Sequence, residues 1–243
     1  MTDQRVAIVT GGSRGIGRGI ATTLAARGQA VVVGYAGSAR AAAQVVEEIT
    51  AAGGKAVAAQ ADVADEHAVA AMFDTAQETF GGIDVVVNSA GRLSLSTIAD
   101  LDLDDLDALH RTNVRGSFVV AREAARRVRD GGAIIGLSTS VVGLQLPTYG
   151  AYVASKSAVE GMTMILAREL RGRDITVNAV APGPTATELF LDGKDDATVA
   201  RMAAQPPLER LGQPADIAEV VAFLAGPGRW VNGQVVRANG GIV

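Results

Sequence analysis

Val6-Ala7-Ile8-Val9-Thr10-Gly11-Gly12-Ser13-Arg14-Gly15-Ile16-Gly17 carries an apolar run straight into a glycine loop, and helical spacing follows through Arg27. A strand, a glycine loop and a helix in that order let a backbone approach a pyrophosphate, whose charge is met by free amides and the helix dipole. Gly11, Gly15 and Gly17 are the glycines in question, with Ser13, Arg14 and Ile16 between them. An ordinary glycine-rich turn is the competing reading, and the order of the three elements weighs against it. The spacing differs from Gly-x-Gly-x-x-Gly, with three residues between the first two glycines of the loop.

The rest of the chain repeats this alternation. Short β-branched runs recur at Val6–Val9, Val31–Val33, Ala56–Ala59, Val85–Val87, Ala133–Leu137, Ile175–Val180 and Gln234–Val236, each reading as a buried strand. Between them lie Ala-, Leu-, Arg- and Glu-rich segments with spacing near 3.6, such as Val45, Ile49 and Ala52, or Val159, Met162, Leu166 and Leu170. A longer helical pattern runs from Leu106 to Val128. Apolar strands alternating with helices imply an α/β fold, a doubly wound parallel sheet of about seven strands with helices on both faces. No linker, repeat or composition shift divides residues 1–243, so one domain is expected.

Composition narrows the function. The 243 residues carry a net charge of −4, are 48% hydrophobic and 20% charged, and include no cysteine. There is no excess of positive charge for nucleic acid or an anionic membrane. Disulfides and thiolate metal clusters are excluded, and a reducing cytoplasm is compatible. No apolar stretch approaches the roughly 18 residues that span a bilayer. Asp100, Asp102, Asp104, Asp105 and Asp107 read as helix N-terminal charge rather than a metal site. Arg122, Arg126, Arg127 and Arg129 read as a solvated helix face. His67 and His110 lack partners at metal-ligand spacing, and Trp230 reads as packing.

Selection of NAD usually places an acid after the second strand, bonded to the ribose 2′-hydroxyl. Here the chain reads Gly34-Tyr35-Ala36-Gly37-Ser38-Ala39-Arg40, and the next carboxylate is Glu47. Arg14 with Ser38, and Arg40 if it turns inward, suit a 2′-phosphate instead, which favours NADP(H) over NAD(H).

Tyr152 and Lys156 are four apart in the Ala151–Leu170 helical pattern and share a face. A phenol has a pKa near 10, and positive charge from Lys156 would bring it toward neutrality, so that it can pass a proton to or from a carbonyl oxygen. With only three lysines and three tyrosines, chance pairing is a weak alternative. Tyr149 has no such cation and is assigned to the pocket wall.

In these segments the whole chain resembles the short-chain dehydrogenase/reductase family in its form of about 250 residues, similar to 3-oxoacyl-carrier-protein reductases and ketone reductases. The matching positions are Thr10 to Gly17, Asp62-Val63, Asn88-Ser89-Ala90-Gly91, Asn113, Ser140, Tyr152, Lys156, and Pro182-Gly183 through Thr187. The resemblance implies a Rossmann-type fold and an enzyme transferring hydride between NADP(H) and a carbonyl or secondary alcohol. Tyr152 would be the acid/base, Ser140 would stabilise the developing alkoxide, Lys156 would also bind the nicotinamide ribose, and Asn113 would hold a water linking Lys156 to solvent. Cofactor contacts are implied for Gly11, Ser13, Arg14, Gly15, Ile16, Gly17, Tyr35, Ser38, Asp62, Val63, Asn88, Ala90, Gly91, Tyr152, Lys156, Pro182, Gly183, Thr185 and Thr187. Asn88-Ser89-Ala90-Gly91 departs from the more frequent Asn-Asn-Ala-Gly. The family's gap from serine to tyrosine is one longer than that from Ser140. Ser140 is preferred over Ser138 because Val141-Val142-Gly143 completes a Ser-x-x-Gly pattern. Relatives are mostly homotetramers joined through crossover helices and C-terminal strands.

Val141, Leu144, Leu146, Tyr149, Pro184, Leu189 and Phe190 are expected around a small carbonyl substrate, with a substrate loop at about 184–205 closing over it. Two rival classes are an NAD(P)-binding sensor without turnover, for which Tyr152 with Lys156 would serve no purpose, and an epimerase or dehydratase of the same superfamily, which would also use tyrosine and lysine but usually carries a longer C-terminal substrate region.

Overall fold

The computed structural model describes residues 4–243. Seven strands form one parallel sheet: β1 Val6–Thr10, β2 Ala30–Tyr35, β3 Lys55–Gln60, β4 Val85–Asn88, β5 Ala133–Leu137, β6 Thr176–Pro182 and β7 Val235–Ala238. Their order is β3-β2-β1-β4-β5-β6-β7, so the winding reverses between β1 and β4. Ala7 stands beside Val31 on one side and Val85 on the other.

Alternate residues of each strand feed two cores, as the two-residue period of extended chain requires. Val6 and Ile8 pack under α3 (Glu66–Phe80), α5 (Gly116–Arg127) and α7 (Gly150–Glu169), against Phe73, Val120 and Leu166. Ala7 and Val9 pack under α1 (Gly15–Ala26), α2 (Ala39–Ala51) and α10 (Pro214–Ala225), against Ile20, Val45 and Val221. Both faces are covered, which explains why β1, β4 and β6 are buried along almost their whole length rather than at alternate positions.

The expected continuous helix from Leu106 to Val128 is interrupted. α4 (Leu103–His110) and α5 flank a π-helical turn at Arg111–Arg115. A Cβ on Gly116 would stand 2.6 Å from the Val63 side chain, so α5 can begin only at a glycine pressed against the loop after β3. The widened turn carries Asn113 inward, where it is 1% exposed.

The bland features resolve unequally. Asp102 caps α4, accepting from the Asp104 amide at 2.8 Å, and among the described residues no acidic or histidine cluster could hold a metal. The arginine face is not uniformly solvated. Arg127 lies over the Phe73 ring and pairs with Asp74, while Arg129 pairs with Asp84 through both carboxylate oxygens. Trp230 is not packed: it is fully exposed, because the turn after α10 carries it outside both cores. Two further short helices, α8 (Glu188–Leu191) and α9 (Asp196–Ala203), lie between β6 and α10, and α6 (Val141–Leu144) follows β5.

Candidate active site

Reversal of winding between β1 and β4 leaves a crevice at the carboxyl ends of those strands, where open α/β sheets bind ligands. Its floor is made of glycine by necessity. A Cβ on Gly11 would lie 2.9 Å from the Ala90 Cα, and one on Gly17 would lie 2.2 Å from the Gly11 carbonyl oxygen. The loops after β1 and β4 therefore touch, and α1 starts with its free amides aimed into the crevice. No side chain fills this cradle, and a dinucleotide pyrophosphate fits it.

One continuous cleft runs from there past β2 to the ends of β5 and β6. Gly11, Ser13, Arg14, Gly15, Ile16, Gly17, Tyr35, Ser38, Asp62, Val63, Ala90, Gly91, Tyr152, Lys156, Pro182, Gly183, Thr185 and Thr187 all border it, as do the seven residues assigned to the substrate pocket. Arg40 does not. Burial alone would raise the Asp62 carboxyl, but the Ala64 amide at 3.0 Å and Arg111 at 2.6 Å bring it below its ordinary value. It is an anion braced at the cleft rim.

Asn88 is not among the residues that border the cleft. Its side chain lies behind the cleft wall, accepting from the Thr10 hydroxyl at 2.7 Å and donating to Ser117 at 3.0 Å. It serves as one link in a chain of bonds. The Ala90 amide donates to Thr10, Ser117 donates to the Asn113 carbonyl at 2.6 Å, the Asn113 amide donates to Ser155 at 3.0 Å, and Ser155 donates to the Tyr152 carbonyl at 2.7 Å. The glycine loop is thereby tied to the helix that carries Tyr152. Thr10, Ser117 and Ser155 were not singled out from the sequence, because their partners lie up to 80 residues away.

Tyr152 and Lys156 emerge from the first turns of α7, with Lys156 Nζ 5.8 Å from the Tyr152 ring centre. Lys156 donates to the Leu137 carbonyl at 2.8 Å, and burial draws its pKa down to about 8. The expected lowering of the phenol does not appear. Burial, and then the neighbouring Tyr149, push Tyr152 up to about 12, against the one opposing contact, a hydrogen bond with the Thr139 side chain. Desolvation outweighs a cation that is turned toward a backbone carbonyl. Tyr149 lies edge-on to Tyr152, ring centres 6.4 Å apart.

The three hydroxyls after β5 separate. Ser138 donates to Glu160 at 2.5 Å, and Ser140 donates to the Ala181 carbonyl while accepting from Asn239, both at 3.0 Å. Thr139, between them, is the one that meets the phenol. A signal for it existed: one residue beyond the Ser140-to-Tyr152 gap falls on Thr139. Ile242 of the C-terminal tail, also not anticipated, borders the cleft.

Comparison with known proteins bears on this geometry. A family model described as Enoyl-(Acyl carrier protein) reductase matches residues 11–243. A short-chain type dehydrogenase/reductase of Picea abies is 48% identical over 98% of this chain and 92% of its own length. The chain belongs to the short-chain dehydrogenase/reductase family. Among its relatives, an NADPH-dependent aldehyde reductase-like protein of Arabidopsis thaliana is 46% identical, covering 98% of this chain and 94% of that protein. A short-chain dehydrogenase of Burkholderia cenocepacia J2315, solved in complex with NADP, superposes with a TM-score of 0.92 at 41% identity, covering 100% of this chain and 99% of that one. As a dehydrogenase/reductase, the chain has its Tyr–Lys pair and its glycine cradle on one cleft.

Proposed function

We propose that this protein reduces the carbonyl group of a small, largely apolar ketone or aldehyde with NADPH, and runs the reverse oxidation of the secondary or primary alcohol. The observation that carries the reading is that Tyr152 lines the same cleft as the glycine cradle, together with Val141, Leu144, Tyr149 and Phe190. Bound NADPH supplies the hydride. Gly11, Gly15 and Gly17 would hold the pyrophosphate, Asp62 and Val63 would border the adenine end, and Lys156 would bind the nicotinamide ribose. Tyr152 gives its proton to the carbonyl oxygen, and the apolar wall keeps water from competing for it.

Support for NADPH over NADH comes from Arg14 and Ser38 at the rim, with no carboxylate where β2 ends. The segment 184–205 acts as a lid: α8, α9 and the turns beside them contribute Leu189, Phe190, Lys194, Met202 and Gln205 to the cleft, and substrate with NADPH should protect it from proteolysis. Exposed Phe118 on α5, Ile165 on α7, Phe223 on α10 and Trp230 are apolar surface suited to a homotetramer, testable by light scattering. A cytoplasmic location agrees with the absence of cysteine.

The deciding experiment is a spectrophotometric screen of ketones, aldehydes and alcohols with NADPH and NADH, run on wild type and Tyr152→Phe. NADPH oxidation that falls by about 100-fold or more in the variant supports the reading. Tight NADPH binding without turnover of any carbonyl would favour a nucleotide sensor instead.

A further inference from the structure

Three consecutive hydroxyls leave β5, and each owns a single proton. Ser138 spends its proton on Glu160, and Ser140 spends its own on the Ala181 carbonyl. Neither has a hydrogen left for an oxygen in the cleft. Thr139 Oγ1 accepts from the Val141 amide at 3.3 Å, which fixes the oxygen and leaves the O–H free to point along the cleft toward the Tyr152 hydroxyl, its partner.

Ser140 has a different set of attachments. Asn239 Nδ2 donates both to Ser140 Oγ at 3.0 Å and to the Val243 carbonyl at 3.1 Å, and Asn239 Oδ1 accepts from the Gly241 amide at 3.0 Å. The tail so held places Ile242 on the cleft wall.

We propose that Thr139, not either serine, is the catalytic alcohol of this site, and that Ser140 is a positioning residue that latches the carboxy-terminal tail through Asn239. This rests on the reductase reading above. During reduction the carbonyl carbon gains the hydride the cofactor supplies, and its π pair moves onto oxygen. That oxygen takes the Tyr152 proton as the phenol O–H bond breaks. The phenolate left behind accepts the Thr139 O–H, and the growing negative charge is met by a donor already in place. In the oxidation direction the same bond favours the phenolate that removes the alcohol proton.

Two measurements test this. Thr139→Val removes the oxygen and keeps the shape; kcat for carbonyl reduction should fall by about 100-fold with NADPH affinity unchanged, while Thr139→Ser stays within about fivefold of wild type. Ser140→Ala should be read in KM, raised severalfold as the tail loosens, with the smaller change in kcat. Independently of turnover, an ultraviolet titration of tyrosinate, with the Tyr152→Phe spectrum subtracted, should show Tyr152 ionising at higher pH in Thr139→Val than in wild type. A kcat collapse in Ser140→Ala with Thr139→Val intact, or a Tyr152 titration unmoved by Thr139→Val, overturns the assignment. If wild type reduces no carbonyl, the reductase reading fails, and the titration still decides which hydroxyl meets Tyr152.

Discussion

Lys156 Nζ donates to the Leu137 carbonyl oxygen at 2.8 Å, and this bond to an uncharged acceptor is the ammonium's partner at the end of β5. Burial alone moves its pKa, down from 10.5 to about 8. Folding therefore works against the charge of this group, a cost kept for function rather than stability.

The pH dependence follows in sign. Between about pH 8 and 10.5 the unfolded chain holds a proton that the folded chain has lost, so stability from this group rises with pH across that window. Below it the full penalty applies, on the order of 3 kcal/mol, offset by about 1 kcal/mol from the Leu137 bond. Lys156→Met should raise the melting temperature near neutral pH by about 4–8 °C, with the advantage shrinking as pH climbs through the window. Melts of both proteins across that range check it. A variant that melts no higher than wild type near neutrality, or a gap that stays flat with pH, contradicts the argument.

Asn113 closes both backbone groups of Arg92 with its side chain, accepting from the amide and donating to the carbonyl at 2.9 Å each, besides its bond to Ser155. Asn113→Ala removes three bonds, one to buried Ser155 and two to the Arg92 backbone. We expect a loss of about 2–4 kcal/mol in urea unfolding and about a tenfold fall in kcat, because the link from the π turn to the helix of Tyr152 is cut. NADPH affinity should hold within about threefold. Unchanged kcat in a destabilised but folded variant would mean that the bond chain supports the fold and not the geometry of Tyr152.

Arg14 is exposed at the rim, at the N-cap of α1, where β2 ends without a carboxylate. If it bonds the 2′-phosphate, Arg14→Ala should raise KM for NADPH by about 10- to 100-fold and leave KM for NADH within about twofold. Equal losses with both cofactors would place Arg14 on the pyrophosphate shared by the two.

What could be read from the sequence divides along physical lines. Strands, the glycine loop and the Tyr152–Lys156 spacing are local patterns, and each survives folding because period and loop chemistry act within a few residues. The π turn at Arg111–Arg115 shows no periodic break, since one extra residue in a helix is decided by Gly116 meeting Val63 across the fold. Choosing Ser140 from its Ser-x-x-Gly context could not anticipate that its proton goes to Ala181, 41 residues on, and its lone pair to Asn239, 99 residues on. Spacing placed Lys156 beside Tyr152 correctly but not the balance of charge, because desolvation is a property of the finished interior.

Two glycines separate backbone necessity from mere tolerance, and the same substitution should act on them with opposite signs. Gly17 sits at the start of α1, where a Cβ would meet the Gly11 carbonyl oxygen at 2.2 Å and its carbon at 2.8 Å. Both atoms are backbone of the phosphate loop, so relief requires the loop to move. Gly161 lies inside α7 with ordinary helical backbone and no atom within 4 Å of a built Cβ. Gly17→Ala should cost about 1–3 kcal/mol and weaken NADPH binding at least tenfold, because the displaced loop no longer presents its amides. Gly161→Ala should gain up to about 1 kcal/mol from reduced unfolded-state freedom and leave NADPH affinity alone. Melting temperatures and cofactor titrations of the two variants suffice, and a Gly17→Ala protein that binds NADPH like wild type would show that the cradle is not where the pyrophosphate lies.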